Sequence, residues 1–274
     1  MIIKQSSFSY FILKSIYLKI KFILYKMYQL KLLPLDFFPI IVRRDIINHS
    51  FFIYKRKLVD TNNGYWRLEP KLTSLELNDY YSKLYYKHHR SKIDKNITPR
   101  DLDQFILIKE KILDLNKTKS YNIINFGSGY SGISYLFMIL GHNVVNIDPA
   151  IEDNDGFGIK TIKQIENYKG KADLFFSSHS LEHVTDLNLF FYELYKILKD
   201  GSYLFFEVPN CEHKHKNGGI NGKIIPPHTY YFKLSYFENL KFKTLENKLY
   251  SQKKTPHLVD KEGEVIRYIG RNEL

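Results

Sequence analysis

The sequence predicts an α/β fold, doubly wound about a mainly parallel sheet, and three observations lead there. From Tyr121 onward, short apolar runs alternate with helix-periodic segments. The first run, residues 121–126, enters a turn containing Gly127, Gly129 and Gly132, and a helix pattern follows. The second run, residues 143–147, ends on an acid, Asp148, 21 positions after Gly127. Strand, glycine-rich turn, helix, strand and acid, in that order, make a crevice for a nucleotide cofactor. Gly127 supplies the backbone angles of a tight turn, and Gly129 lets the main chain approach a ligand. Asp148 stands where a carboxylate can accept hydrogen bonds from two ribose hydroxyls.

The remaining elements follow from pattern and punctuation. Residues 1–33 read as a helix stopped near Pro34, and residues 34–75 as mixed structure with turns at Pro34, Pro39, Asn62-Asn63-Gly64 and Pro70. The only tryptophan, Trp66, is expected to anchor this extension. Helices are expected over 75–86 and 100–115, the second opened by Thr98-Pro99 with Asp101 and Asp103 in its first turn. Then come helix 131–140, a short strand near 159–162, a weak helix, strand 173–177 and helix 185–198, closed by Asp200-Gly201. Strand 203–208, helix 235–240 and two terminal strands, 242–250 and 264–269, complete the chain, the last two paired antiparallel. The expected division is an N-terminal extension over residues 1–95 and a catalytic domain over 96–274.

Composition narrows the partners. The chain has 274 residues, 44% of them hydrophobic, so a sizeable core is available. The single cysteine, Cys211, excludes an internal disulfide framework and a cysteine-built zinc site, and it fits a reducing cytoplasm. A net charge of +12 raises nucleic-acid binding, but the lysines are scattered and no arginine-rich tract occurs, so none is expected. An anionic partner (phosphate, nucleotide or membrane surface) stays open. No apolar run is long enough to span a bilayer. In the first helix Ile16, Ile20, Ile23, Leu24, Met27 and Leu30 share a face, with Lys14, Lys19, Lys21 and Lys26 largely opposite. Two readings of that helix stand: it lies on a membrane surface, or it packs on its own domain or a second subunit.

At this point the residues resemble a family. Asn125 to Gly132, Asp148, the Ser180-Leu181-Glu182-His183-Val184 segment, Lys199-Asp200-Gly201 and Val208-Pro209-Asn210 occur in that order. Together they resemble the class I S-adenosylmethionine (SAM)-dependent methyltransferases, and Pro227-His228 with Tyr230-Tyr231-Phe232 is similar to a segment of that family's small-molecule and sugar-modifying members. The resemblance covers residues 100–250 or so. It implies a Rossmann-like seven-stranded sheet whose last two strands form an antiparallel hairpin. It implies that Gly127, Ser128 and Gly129, with Asn125 beneath them, hold the methionine part of SAM. Asp148 would take the ribose, and Ser177, Ser178 and the residues up to Ser180 would line the floor where donor and acceptor meet. Asn125 departs from the pattern, because the family usually carries an acid there.

Methyl transfer to a hydroxyl needs alignment and a place for the proton. Histidine suits the second task, and His228, His179 and His183 are the candidate catalytic residues. The segment from His179 to His183 is also similar to a metal-holding segment of ubiquinone-pathway O-methyltransferases. That metal-holding segment carries acid, acid and histidine, and His179 stands here in place of the first acid; if a divalent ion binds, the resemblance implies Glu182 and His183 as ligands and leaves His179 open. The competing reading is that they only order the following turn. His213 and His215, in a Gly/Asn-rich loop, read as solvated. The expected function is SAM-dependent methyl transfer to a small-molecule or saccharide acceptor, preferably at oxygen, as in surface-polysaccharide synthesis. An NAD-type oxidoreductase and a non-catalytic scaffold are the alternatives.

Overall fold

A computed structural model describes residues 20, 23, 27, 32, 56–81, 97–113, 119–130, 132–151, 158–213, 224–225, 227–252, 258–260 and 262–273. The amphipathic helix expected over 1–33, its membrane or subunit contact, and His215 fall almost wholly outside these residues.

The main sheet is built from β3 (Asn122–Phe126), β4 (Asn143–Ile147), β5 (Thr161–Ile162), β6 (Ala172–Ser178), β7 (Leu198–Pro209), β9 (Lys243–Ser251), β10 (Leu258–Val259) and β11 (Val265–Arg271). Their order is β10-β9-β11-β7-β6-β3-β4-β5. The five strands β7, β6, β3, β4 and β5 run parallel, and β11 inserts antiparallel between β7 and β9. This is the expected seven-stranded arrangement with its C-terminal hairpin. The two-residue β10 adds an eighth strand at the edge.

Strand residues alternate between two cores, which is the signature of a sheet covered on both faces. Ile124, Phe175, Leu204 and Phe206 face helix α4 (Leu187–Ile197) and α5 (Leu234–Glu238). Ile123, Leu174, Phe176 and Phe205 face α2 (Pro99–Lys111) and α3 (Gly132–Ile139). Phe176 and Phe205 stack at 5.0 Å across neighbouring strands.

Helix α2 starts where a capping box dictates. The Thr98 hydroxyl accepts from the Asp101 N–H at 3.2 Å, and the Asp101 carboxylate accepts from the Thr98 N–H at 2.8 Å. Thr98→Ala should cost about 1 kcal/mol in urea unfolding. A change of a tenth of that would mean the box contributes nothing here. Helix α4 is capped in the same spirit, with Asp186 accepting from the N–H groups of Asn188 and Leu189.

A second, smaller sheet was not anticipated. Strands β1 (Lys57–Asp60) and β2 (Tyr65–Glu69) form a hairpin about the Asn62-Asn63-Gly64 turn, and β2 pairs with β8 (Tyr230–Phe232). Gly64, at φ +79°, and Asn62, at φ +59°, make that turn. Trp66 lies in this sheet against Tyr231 and Cys211, so it does anchor the extension. The sheet ties the extension to the loop before β8: the Leu68 N–H donates to the Thr229 carbonyl at 2.9 Å. Helix α1 (Ser74–Asp79) follows the hairpin and lies beside the cleft.

Two expectations need correction. The helix expected to run to 198 and close at Asp200-Gly201 ends at Ile197, and β7 begins at Leu198. Gly201, at φ +71°, sits within that strand, where its N–H donates to the Asn272 carbonyl. His213 is buried, whereas solvation was expected.

Candidate active site

A cleft of about 1520 Å³ opens beyond the carboxyl ends of β3, β4 and β6. The connections that leave β3 and β6 run in opposite directions, to β4 and to β7, and open α/β sheets bind ligands at such a point. One half of the cleft is the glycine turn. Gly127 and Gly129 both adopt positive φ, +67° and +52°. A side chain on Gly127 would meet the Ser180 hydroxyl at 2.0 Å, so the turn is packed directly on the segment after β6. The Ser180 hydroxyl donates to either the Gly127 or the Ser178 carbonyl, each at 3.1 Å.

Asp148 faces the turn from the end of β4. One carboxylate oxygen accepts from the Gly129 N–H at 2.8 Å and the other from the Ala150 N–H at 2.9 Å. Burial pushes its pKa up, against the pull of these N–H groups. Each carboxylate oxygen has a second lone pair, so the acid can still accept from a ligand.

Asn125 is explained by what lies beneath the turn. Its amide donates to the Ser134 hydroxyl at 2.8 Å, and that hydroxyl donates to the Asn146 side-chain oxygen at 2.7 Å. Ser134 has one proton and uses it on Asn146, so residue 125 must be a donor. A carboxylate at 125 would compete for that proton inside a buried site. Asn125→Asp should therefore destabilise the fold by about 1–3 kcal/mol in denaturant titration, and an unchanged midpoint would refute the chain of donors.

The floor is the end of β6. Ser178 lines the cleft, and its hydroxyl accepts from the Gln104 side chain at 2.8 Å. Ser177 is fully buried and does not line the cleft. Sequence reasoning missed Gln104 and Arg100 of α2, and Lys163 to Glu166 after β5, all of which line the cleft. Helical periodicity alone does not say which face of α2 covers a ligand.

The other half of the cleft holds the histidines. His179 adopts φ +51°, a rare conformation for a non-glycine residue. Its Nδ1 lies 3.6 Å from Glu182 Oε1 and its Nε2 lies 3.3 Å from Glu207 Oε1. Burial opposes its charge, but the two carboxylates outweigh burial and raise its pKa to about 9. His179 is thus a fixed cation at neutral pH. His183 and His228 stand edge to face, ring centroids 4.9 Å apart, and Tyr81 stacks edge-on to His183 at 6.1 Å. Burial lowers the pKa of both, His228 to about 3, so both imidazoles are neutral.

Glu182 sits at the centre, 1% exposed. Burial opposes its charge, and the adjacent His179 cation favours it, so the carboxylate stays ionised. Glu207 is equally buried, and it is held as a carboxylate by His179 and by Arg267, whose Nε donates to it at 2.7 Å. Arg267 also donates to Asp103 at 2.6 Å. The structure therefore brings His179, His183 and His228 together, though His228 comes from 45 residues further on. No spacing rule could have found that convergence, or Glu207 and Arg267 behind it.

Comparisons with known proteins fit this architecture. A family model described as a methyltransferase domain matches residues 91–244, more than half of the chain. No curated protein matches the sequence. Among solved structures, the chain is similar to the Burkholderia thailandensis 1,6-didemethyltoxoflavin-N1-methyltransferase, solved with its 1,6-didemethyltoxoflavin and S-adenosylhomocysteine bound. The TM-score is 0.51 at 12% identity, over 80% of this chain and 96% of that one. It is also similar to a S-adenosylmethionine-dependent methyltransferase from Clostridium acetobutylicum, with a TM-score of 0.45 at 14% identity, over 72% of this chain and 99% of that one. At such identities the likeness is one of fold.

Proposed function

Because the chain belongs to the methyltransferase-domain family, we propose that it transfers a methyl group from S-adenosylmethionine to an oxygen of a small-molecule acceptor, saccharides included. One observation carries the reading: the positive-φ turn Gly127–Gly129 faces the Asp148 carboxylate across the β3/β4 crevice. Main-chain groups of 127–129 are accessible to the amino-acid end of such a cofactor, because neither glycine puts a side chain in the way. Asp148 accepts from the ribose hydroxyls, and Lys163 to Glu166 lie along the wall for the base. When bound, the cofactor supplies an electrophilic methyl group on a sulfonium.

The acceptor enters from the side lined by α1, Tyr81, His183 and His228. Ser178 and Ser180 form the floor between the two halves. Displacement at the methyl carbon is in line, so these residues act mainly by holding the acceptor oxygen on that line. The hydroxyl proton leaves into the cluster of Glu182, His183 and His228. His179 is not the acceptor of that proton, since both its ring nitrogens face carboxylates. Its charge instead supports Glu182.

The test is transfer of radiolabelled methyl from SAM to small-molecule and saccharide fractions, resolved by chromatography. Label should appear in a hydroxyl-bearing compound and disappear with the Asp148→Ala variant. Absence of label in every fraction, from protein shown to bind SAM, would contradict the assignment of acceptor class. Label on nitrogen would replace the oxygen preference.

A further inference from the structure

We propose that Glu182, His183 and His228 form a binding site for one divalent transition-metal ion. One ligand atom from each lies within 4.8 Å of those of the other two. Ligand atoms about 2.1 Å from a shared tetrahedral ion sit about 3.4 Å apart, so small side-chain rotations close the site.

The backbone builds this convergence. Glu182 and His183 occupy the 3-10 turn Leu181–His183 after β6, and His228 lies in the loop before β8. The Thr229 N–H donates to the Glu182 carbonyl at 2.8 Å, which ties the two segments together next to the ligands. The His183 Nδ1 lies 3.4 Å from the Pro227 carbonyl. With the proton there, the lone pair is on Nε2, and Nε2 is the atom 3.7 Å from Glu182 Oε1. A histidine that donates one N–H to a carbonyl and aims the other nitrogen at a shared point is oriented as metal-bound histidines are.

The second observation is Glu182 itself. It is 1% exposed, and among the described residues neither carboxylate oxygen has a hydrogen-bond partner. The nearest imidazole nitrogens stop at 3.6 and 3.7 Å, beyond hydrogen-bond reach. A buried carboxylate that accepts no hydrogen bond is costly even with the His179 ring 3.6 Å away, and a cation held between it and the His183 and His228 imidazoles reduces that cost. The ligand set also differs from the one the family resemblance implies. His179 is drawn away to Glu207 and stands behind Glu182 as an outer partner, and His228 takes a place that the resemblance does not give it.

Two imidazoles and one carboxylate suit Zn²⁺, Fe²⁺, Co²⁺ or Mn²⁺ better than Mg²⁺ or Ca²⁺. Three ligands leave positions open toward the cleft. There the ion would hold an acceptor oxygen and lower the pKa of its hydroxyl; with the ion bound the histidines would serve as ligands, and the proton would leave to water in the cleft instead of to the cluster. That role rests on the methyl-transfer reading; the binding of the ion does not.

The full-length protein, stripped with EDTA and dialysed, is titrated with Co²⁺ by calorimetry and visible absorption, with Zn²⁺ as competitor. One equivalent should bind and give d–d bands. Glu182→Gln and His228→Ala should each weaken binding on the order of 100-fold or more. His142→Asn, at the opposite end of the sheet, should not. Far-UV circular dichroism and SAM affinity report whether each variant is folded. No Co²⁺ binding by the wild type, or binding that survives both cluster variants, overturns the site. SAM binding without Co²⁺ binding sinks the metal alone. Co²⁺ binding lost in the cluster variants, in a protein with no affinity for SAM, supports the site and sinks the methyl-transfer reading.

Discussion

Arg267→Met should destabilise the protein by about 3–5 kcal/mol, the largest single effect expected outside the hydrophobic core. Arg267 is 1% exposed in the middle of β11, and its guanidinium bonds Glu207 of β7 and Asp103 of α2. Tyr250 of β9 covers it, with the guanidinium carbon 4.6 Å from the ring centroid. Removing the cation takes from two buried carboxylates the guanidinium that bonds them both. The methionine fills the volume, so the loss is electrostatic rather than a cavity. The effect should reach the site, because Glu207 is also the partner of His179. Urea unfolding followed by circular dichroism measures it. A loss under about 1 kcal/mol would mean that the two acids are neutralised by other means, and the buried network would lose its assigned role.

Gly129→Val should lower the affinity for SAM by at least about 100-fold, or roughly 2.7 kcal/mol, while leaving the protein folded. Gly129 sits at φ +52°, where a β-branched side chain is a genuine outlier. Its N–H is bonded to Asp148, so displacing residue 129 also frees the acid that the ribose needs. The local strain is on the order of 1–3 kcal/mol, which the fold can absorb at a surface turn. Calorimetry for the ligand and thermal unfolding for the fold separate the two. Retained affinity would move the cofactor away from this turn.

The central strands were legible because a parallel sheet covered on both faces makes each strand a continuous apolar run. Ile123 and Ile124, or Phe175 and Phe176, serve opposite cores and still read as one strand. The glycine turn and Asp148 were legible because both lie within one strand–helix–strand unit. The small sheet was not. Residues 57–60 and 65–69 are short, and their third strand, 230–232, is more than 160 positions away, so only the turn between the first two left a local mark. The boundary at Asp200-Gly201 misled because glycine marks a helix end and a kink within a strand equally well. Arg267 was visible as a charge inside an apolar run, and its partners were not. His179 looked like a base by residue type; the carboxylates that fix it as a cation include Glu207, which arrives only with the fold.

The most direct test is calorimetric titration of the purified protein with SAM and, separately, with NAD, in wild type and Asp148→Ala. The account predicts one SAM bound per chain, no NAD, and loss of SAM binding in the variant. Binding of NAD in place of SAM, or SAM binding indifferent to Asp148, would contradict it.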